Sequence, residues 1–198
     1  MIYYYRLRTD DGHAPCVANG LLTLAICKPE IRRKAQMGDW VIGIAPEELD
    51  SKLCYVAHIT NRLCGCQYYG SKEFRHRSDV IYRIDKHGKY ALFDETVHQQ
   101  KDMPRDIGEA PEYGNAWILV SDRGHFWYFG KSMKSLTRSK YPRLMKKIDH
   151  LTQGHRVHHS AAVRRELESP IQSIQREYTT RKYGIPRNGH AIRKCYPD

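Results

Sequence analysis

The chain has 198 residues, 40% of them apolar, and a formal net charge of +11. That length allows one substantial domain. No apolar run reaches the roughly 18 residues of a membrane span, and MIYYYRLRTDDG lacks the apolar core of a signal peptide, so the expectation is a soluble, cytoplasmic protein with no membrane partner. The charge is unevenly placed: residues 1–129 hold 17 Lys and Arg against 17 Asp and Glu, whereas residues 130–198 hold 16 against 5. A neutral body with a basic last third points to a polyanionic partner, nucleic acid before membrane.

In chain order, IYYYR near the start reads as a strand, DDGHAP as a turn, and NGLLTLAIC as a mixed apolar run. Pro29 suits the first turn of a helix, where its missing N–H costs nothing, which predicts a helix over 29–37 with Gly38 as its cap. Arg32, Arg33 and Lys34 then lie at the negative end of that helix. DWVIGIA and LCYVAHIT read as strands, the second alternating as a half-buried strand does. NRLCGCQYYGSKEFRHRSD is expected to be an irregular loop of functional length. VIYRI and KYALF flank DKHG as a hairpin, and AWILVS and HFWYFG, joined by DRG, repeat that pattern.

After Gly130 the pattern becomes helical. YPRLMKKIDHL sets Leu144, Ile148 and Leu151 on one face, and SPIQSIQREYTTRKYG predicts a helix capped by Ser169, begun by Pro170 and stopped by Gly184. The expected class is α+β: a small β-barrel over residues 1–130, with an inserted helix, followed by a basic helical extension over 131–198 packed on or beside it.

Three kinds of chemistry can be weighed. For metal, Cys54, Cys64 and Cys66 fit no standard zinc spacing, and His155 and His159 would share a face only on a helix. No metal and no cofactor is expected, and all six cysteines are read as reduced thiols. For nucleophilic catalysis, Cys16 stands three residues after His13 and five after Asp11. For base recognition, aromatic and cationic residues are interleaved: Trp40, then Tyr68 and Tyr69 in a loop with Arg75, then Trp127. On a strand Trp127 and Phe129 face one way and Tyr128 the other, so part of this aromatic set belongs to a core.

DDGHAPC, TLAICKPEIRRKAQMGDWVIG, SDRGHFWYFG and QGHR together resemble the nucleotide modification associated domain family, type 2, with YGIPRNG echoing it further on. The most specific stretch runs from Cys27-Lys28-Pro29 through Arg32 to Gly38-Asp39-Trp40. The order of helix, GDWV corner, strand and aromatic loop is also similar to PUA-like barrels such as EVE, ASCH and YTH domains. The resemblance implies a barrel that reads modified bases, in phage or bacterial systems that make or recognise modified DNA. On this reading Trp40, Tyr68, Tyr69 and Trp127 hold the base, while Lys28, Arg32, Arg33, Arg75, Arg156, Arg164 and Arg165 hold phosphate, and the partner is DNA or a modified nucleotide. The alternative is an enzyme acting on a modified nucleotide or DNA base through Asp11, His13 and Cys16. The sequence leaves the oligomeric state open.

Overall fold

The computed structural model describes residues 1–151, 154–179 and 181–188. Among these residues twelve strands and five α-helices follow one another: β1 (Ile2–Arg6), β2 (Cys16–Ala18), β3 (Leu21–Leu24), α1 (Pro29–Lys34), β4 (Trp40–Ile44), β5 (Leu53–His58), β6 (Asn61–Cys64), α2 (Gly65–Tyr69), β7 (Tyr82–Ile84), β8 (Tyr90–Leu92), α3 (Met103–Ile107), β9 (Trp117–Ser121), β10 (Phe126–Tyr128), α4 (Pro142–Asp149), β11 (His155–Arg156), α5 (Ala161–Glu177) and β12 (Arg181–Lys182). The class is α+β, as expected, but the strands do not close into a barrel. They form an open mixed sheet in the order β11-β1-β4-β5-β10-β12, a second sheet in the order β2-β3-β9-β6, and the separate hairpin β7-β8.

The layering follows from alternation along the strands. β1 is buried on both faces. Ile2 and Tyr4 face α4 and α5, together with Ile42, Ile44, Val56, Trp127 and Phe129. Tyr3 and Tyr5 face the second sheet, together with Val41, Tyr55, Phe126 and Tyr128 against Leu22, Leu24 and Leu119. The split of Trp127 and Phe129 from Tyr128 is the one the strand period predicts. Leu144 and Ile148 share the buried side of α4 and Leu151 joins their cluster just past its end, the face the spacing predicts, and Val163, Leu167, Ile171 and Ile174 do the same on α5. Each such side chain contributes about 1.5–3 kcal/mol of apolar transfer. A third cluster, built from Tyr68, Tyr69, Ile81, Tyr82, Ile107 and Ile118, lies under α2, the hairpin and α3.

Buried arginines act as struts. Arg6 reaches across to α4, donating to Ile148 O at 2.9 Å and Leu151 O at 3.3 Å while also binding Ala45 O and Ser51. It thereby ties the C-terminal end of α4 to β1 and to the turn at Ala45. Arg77 does the same for the loop after α2, binding Ala18 O, Cys16 O, Thr23 and the Tyr68 hydroxyl.

Several expected elements differ. α1 ends at Lys34, because Ala35 is already extended at ψ 144°. Gly38 instead makes a separate turn at φ 87°, where Asp39 accepts from Gln36 N and from the amino terminus. The aromatic stretch after Thr60 is strand β6 and helix α2 before it becomes a loop. β9 and β10 are not a hairpin: β9 pairs with β3 and β6, and β10 with β5 and β12. α5 starts at the Ser160 cap, carries Pro170 within it and ends at Glu177, well before Gly184. His155 lies on edge strand β11 rather than a helix, and His159 bonds Ile2 O at 2.8 Å. Cys64 and Cys66 are joined by a disulfide rather than reduced. Gln153, Gly189 and Cys195, all part of the sequence reading, lie outside the described residues.

Candidate functional site

The chain leaves β3 through Ala25 and Ile26 and turns sharply before α1. At the corner Cys27 has φ 58° and Lys28 φ 46°, two consecutive left-handed residues, neither of them glycine. Each costs about 1–2 kcal/mol, so the surroundings must hold the corner in place. They do so from both sides. Cys27 N donates to Asp106 Oδ1 at 2.7 Å, and Cys27 O accepts from Arg32 Nε at 2.6 Å.

Arg32 is fully buried, with no exposed surface. Its five N–H groups are all occupied: Nε by Cys27 O, Nη1 by Asn115 O and Trp117 O at 2.8 Å each, and Nη2 by Asp106 O at 2.6 Å and Asp106 Oδ1 at 2.7 Å. A guanidinium offers five donors and no more. Arg32 therefore has nothing left for a phosphate; it is the post on which the Cys27 corner stands.

The second oxygen of Asp106 is used differently. Tyr82 donates to Oδ2 at 3.0 Å, and His98 Nδ1 lies 3.5 Å from it. The opposite ring nitrogen, His98 Nε2, is 3.4 Å from Cys27 Sγ. Sulfur, imidazole and carboxylate thus form a line, and Cys27 is half-buried rather than sealed. Burial pushes the Asp106 carboxyl up, but Arg32 and His98 outweigh it and hold it below the usual carboxylate range. Asp106, and after it Cys27, raise His98 to about 10 against the partial desolvation of its ring. At neutral pH the imidazole is therefore protonated, with its Nε2–H directed at the sulfur. Burial drives the Tyr82 hydroxyl far up, with Asp106 adding to the effect, so it remains a donor. Lys28 completes the corner: its ammonium sits over the Tyr5 ring, 4.6 Å from the centroid. The Tyr5 hydroxyl in turn accepts from Tyr55 at 2.9 Å.

The fold treats the residues singled out from sequence very unequally. Tyr68 is fully buried, stacked on Phe74 with its hydroxyl donating to Asp79 at 2.7 Å, and Tyr69 donates to Ala25 O at 2.9 Å from inside the same core. Trp127 is buried under the helices, its indole N–H on Tyr178 O at 3.1 Å. None of these three presents a ring face to a base. Trp40 is half-buried on the helix side of the large sheet, 4.6 Å from the His58 ring. Arg33 is exposed and paired with Glu30, Arg75 is exposed beside His76, Arg156 is exposed on edge strand β11, Arg164 pairs with Glu168 at 2.9 Å, and Arg165 is exposed.

Asp11 and His13 do meet, with His13 Nδ1 3.1 Å from Asp11 Oδ1. Cys16 is buried and its sulfur faces Ser78 at 3.4 Å; no hydrogen bond joins it to His13 among the described residues. Burial, with Asp79 adding to it, pushes the Cys16 thiol up to about 11, the condition of an inert thiol. A cleft of about 440 Å³ opens elsewhere, on the second sheet, lined in part by Asn61, Gln67, Glu73 and Asp122; its two carboxylates disfavour an anion.

The chain matches the family described as nucleotide modification associated domain 2 over residues 1–191. It belongs to that family. No curated protein and no solved structure matches it. The matched span includes the residues of α4 and α5 as well as those of the sheets. The family's description associates the chain with nucleotide modification. His98 and Asp106 lie 71 and 79 positions beyond Cys27, so no local motif could have named them. The only local sign was a Cys-Lys-Pro run between a strand and a helix.

Proposed function

We propose that the chain is an enzyme of nucleotide modification that works on a modified nucleotide or DNA base through covalent catalysis at Cys27. The observation that carries this reading is the line from Cys27 Sγ through His98 to Asp106 at a corner the backbone adopts only under constraint. In the reaction class this suits, the Cys27 thiolate attacks an electrophilic carbon such as an acyl carbon of a base substituent. The carbon–leaving-group bond breaks, and the His98 imidazolium gives its proton to the departing group. Water, losing a proton to the now neutral His98, then attacks the thioester and releases the acid and the thiolate. Asp106, Tyr82 and Arg32 are positioning residues: they fix the imidazole and the corner without touching substrate.

The test is incubation with DNA and deoxynucleotides bearing acylated or otherwise modified bases, read by nucleoside mass spectrometry. Wild type should change a modified nucleoside that Cys27→Ala and His98→Ala leave intact. Turnover by Cys27→Ala at the wild-type rate would contradict the proposal.

A second reading, a module that binds modified DNA, draws on the basic last third, where Lys146, Lys147, Arg156 and Arg165 are exposed, and on half-buried Trp40. It predicts binding that weakens steeply with salt and prefers a base-modified oligonucleotide over its plain counterpart.

A further inference from the structure

Lys28 is a cation in an unusual position. It follows Cys27 directly, its left-handed backbone is fixed by the same corner, and it is half-buried. Among the described residues no carboxylate forms an ion pair with it; the contact the structure gives its ammonium is the Tyr5 ring, 4.6 Å to the centroid. Nearby cations on α1 are balanced locally, since Glu30 takes both Arg33 at 2.9 Å and Lys34 at 3.2 Å. A partly desolvated ammonium held by an aromatic face, with no carboxylate paired to it among the described residues, is open to an anionic ligand.

We propose that Lys28 is an anion seat beside the nucleophile, and that the substrate of the Cys27 site carries a phosphate lying close to the carbon the sulfur attacks. This inference rests on the nucleophilic reading of Cys27 and adds the substrate class to it: a phosphate-bearing nucleotide, free or within a strand, rather than a base or nucleoside. The electrostatics agree. Burial lowers Lys28 from its ordinary range, the Cys27 sulfur raises it, and Arg8 adds further positive charge to the neighbourhood. A phosphate would relieve the cost of burial and the repulsion together. Edge strand β11 brings His155 opposite Tyr5, and burial and then Lys34 hold its imidazole below the ordinary histidine range, and no carboxylate from that strand competes for Lys28.

Two alkylating reagents of nearly equal size separate the claims. Iodoacetamide is neutral and iodoacetate is an anion, and peptide mapping locates each adduct on the full chain. Iodoacetate should gain on iodoacetamide at Cys27, and Lys28→Gln should lower that ratio about tenfold while Lys28→Arg preserves it. If iodoacetamide labels Cys27 but the ratio is unchanged in Lys28→Gln, the anion seat is overturned and the nucleophile stands. If neither reagent labels Cys27, the nucleophilic reading itself falls. Protection from iodoacetamide then identifies the source of the phosphate. Protection by mixed deoxynucleoside 5′-monophosphates points to a free nucleotide, and protection by a single-stranded oligonucleotide alone points to a strand. Equal protection by the corresponding nucleosides, or protection by none of these, overturns the phosphate assignment.

Discussion

Asp11–His13–Cys16 and Cys27–His98–Asp106 are built from the same three residue types and lie on opposite sides of what makes a site. In the first, the residues are five positions apart at most, yet the fold turns the cysteine inward to Ser78 and leaves the histidine with the aspartate. In the second, 79 positions separate the ends, and three segments deliver sulfur, ring and carboxylate into line. Cys16, close to its partners in sequence, lies in a core, and Cys27, far from its partners in sequence, is brought beside a histidine by tertiary packing. Burial is the physical difference: among the described residues the hydrogen bond of the Cys16 sulfur is to Ser78, whereas Cys27 faces a ring that Asp106 keeps protonated.

The comparison breaks most readily at the nucleophile. Cys27→Ala should cost at least about a thousandfold in turnover of a modified nucleoside, while Cys16→Ala leaves turnover within a few-fold once the protein is folded. Equal losses in the two variants would erase the distinction. The next effect falls on stability. Arg32→Met removes the guanidinium that holds Asp106 and four backbone carbonyls in the core and should cost about 3–5 kcal/mol by urea unfolding. A cost under about 1 kcal/mol would mean the corner does not depend on that pair.

The third effect depends on pH. In the folded chain Asp106 and Cys27 raise His98 to about 10 from the ordinary 6.5, so its protonated form favours folding. That contribution is complete below about pH 6.5 and is lost as pH rises toward 10. Unfolding at a series of pH values should show a decline across this window that is shallower in His98→Gln; parallel curves would remove the Asp106–His98 interaction from the account. The smallest effect is expected in the other constellation. His13→Gln should move stability by no more than about 0.5 kcal/mol, since its half-exposed pair with Asp11 is a surface interaction.

Much of the layering was legible because it follows from strand period and helical spacing. The alternation of Trp127, Tyr128 and Phe129 and the apolar face of α4 needed no tertiary information. Connections were not legible on that basis. DRG between two β-rich runs has the length of a hairpin loop, yet the edge of β5 takes β10 and the edge of β3 takes β9, and the chain crosses between sheets. Pro170 looked like a helix start, but α5 tolerates it inside because Val163, Leu167, Ile171 and Ile174 are buried along the same helix. The aromatic pocket failed for a related reason. Tyr68 and Tyr69 carry hydroxyls that find partners inside, at Asp79 and Ala25 O, so a stretch that looked polar enough to line a site is core. Arg32 was drawn into the phosphate set by its charge, and only the fold reveals that every donor is used internally. The corner at Cys27 left no trace in residue type, because nothing in a Cys-Lys pair announces a positive φ.

The most direct test of the central claim is the rate at which iodoacetamide alkylates Cys27 at pH 6, beside a free thiol peptide and the His98→Gln variant. The expected result is a wild-type rate at least about tenfold above the peptide, falling to the peptide's rate in His98→Gln, because the protonated His98 ring 3.4 Å from the sulfur is what favours its attack. A Cys27 that reacts no faster than the peptide, or equally fast without His98, would contradict it.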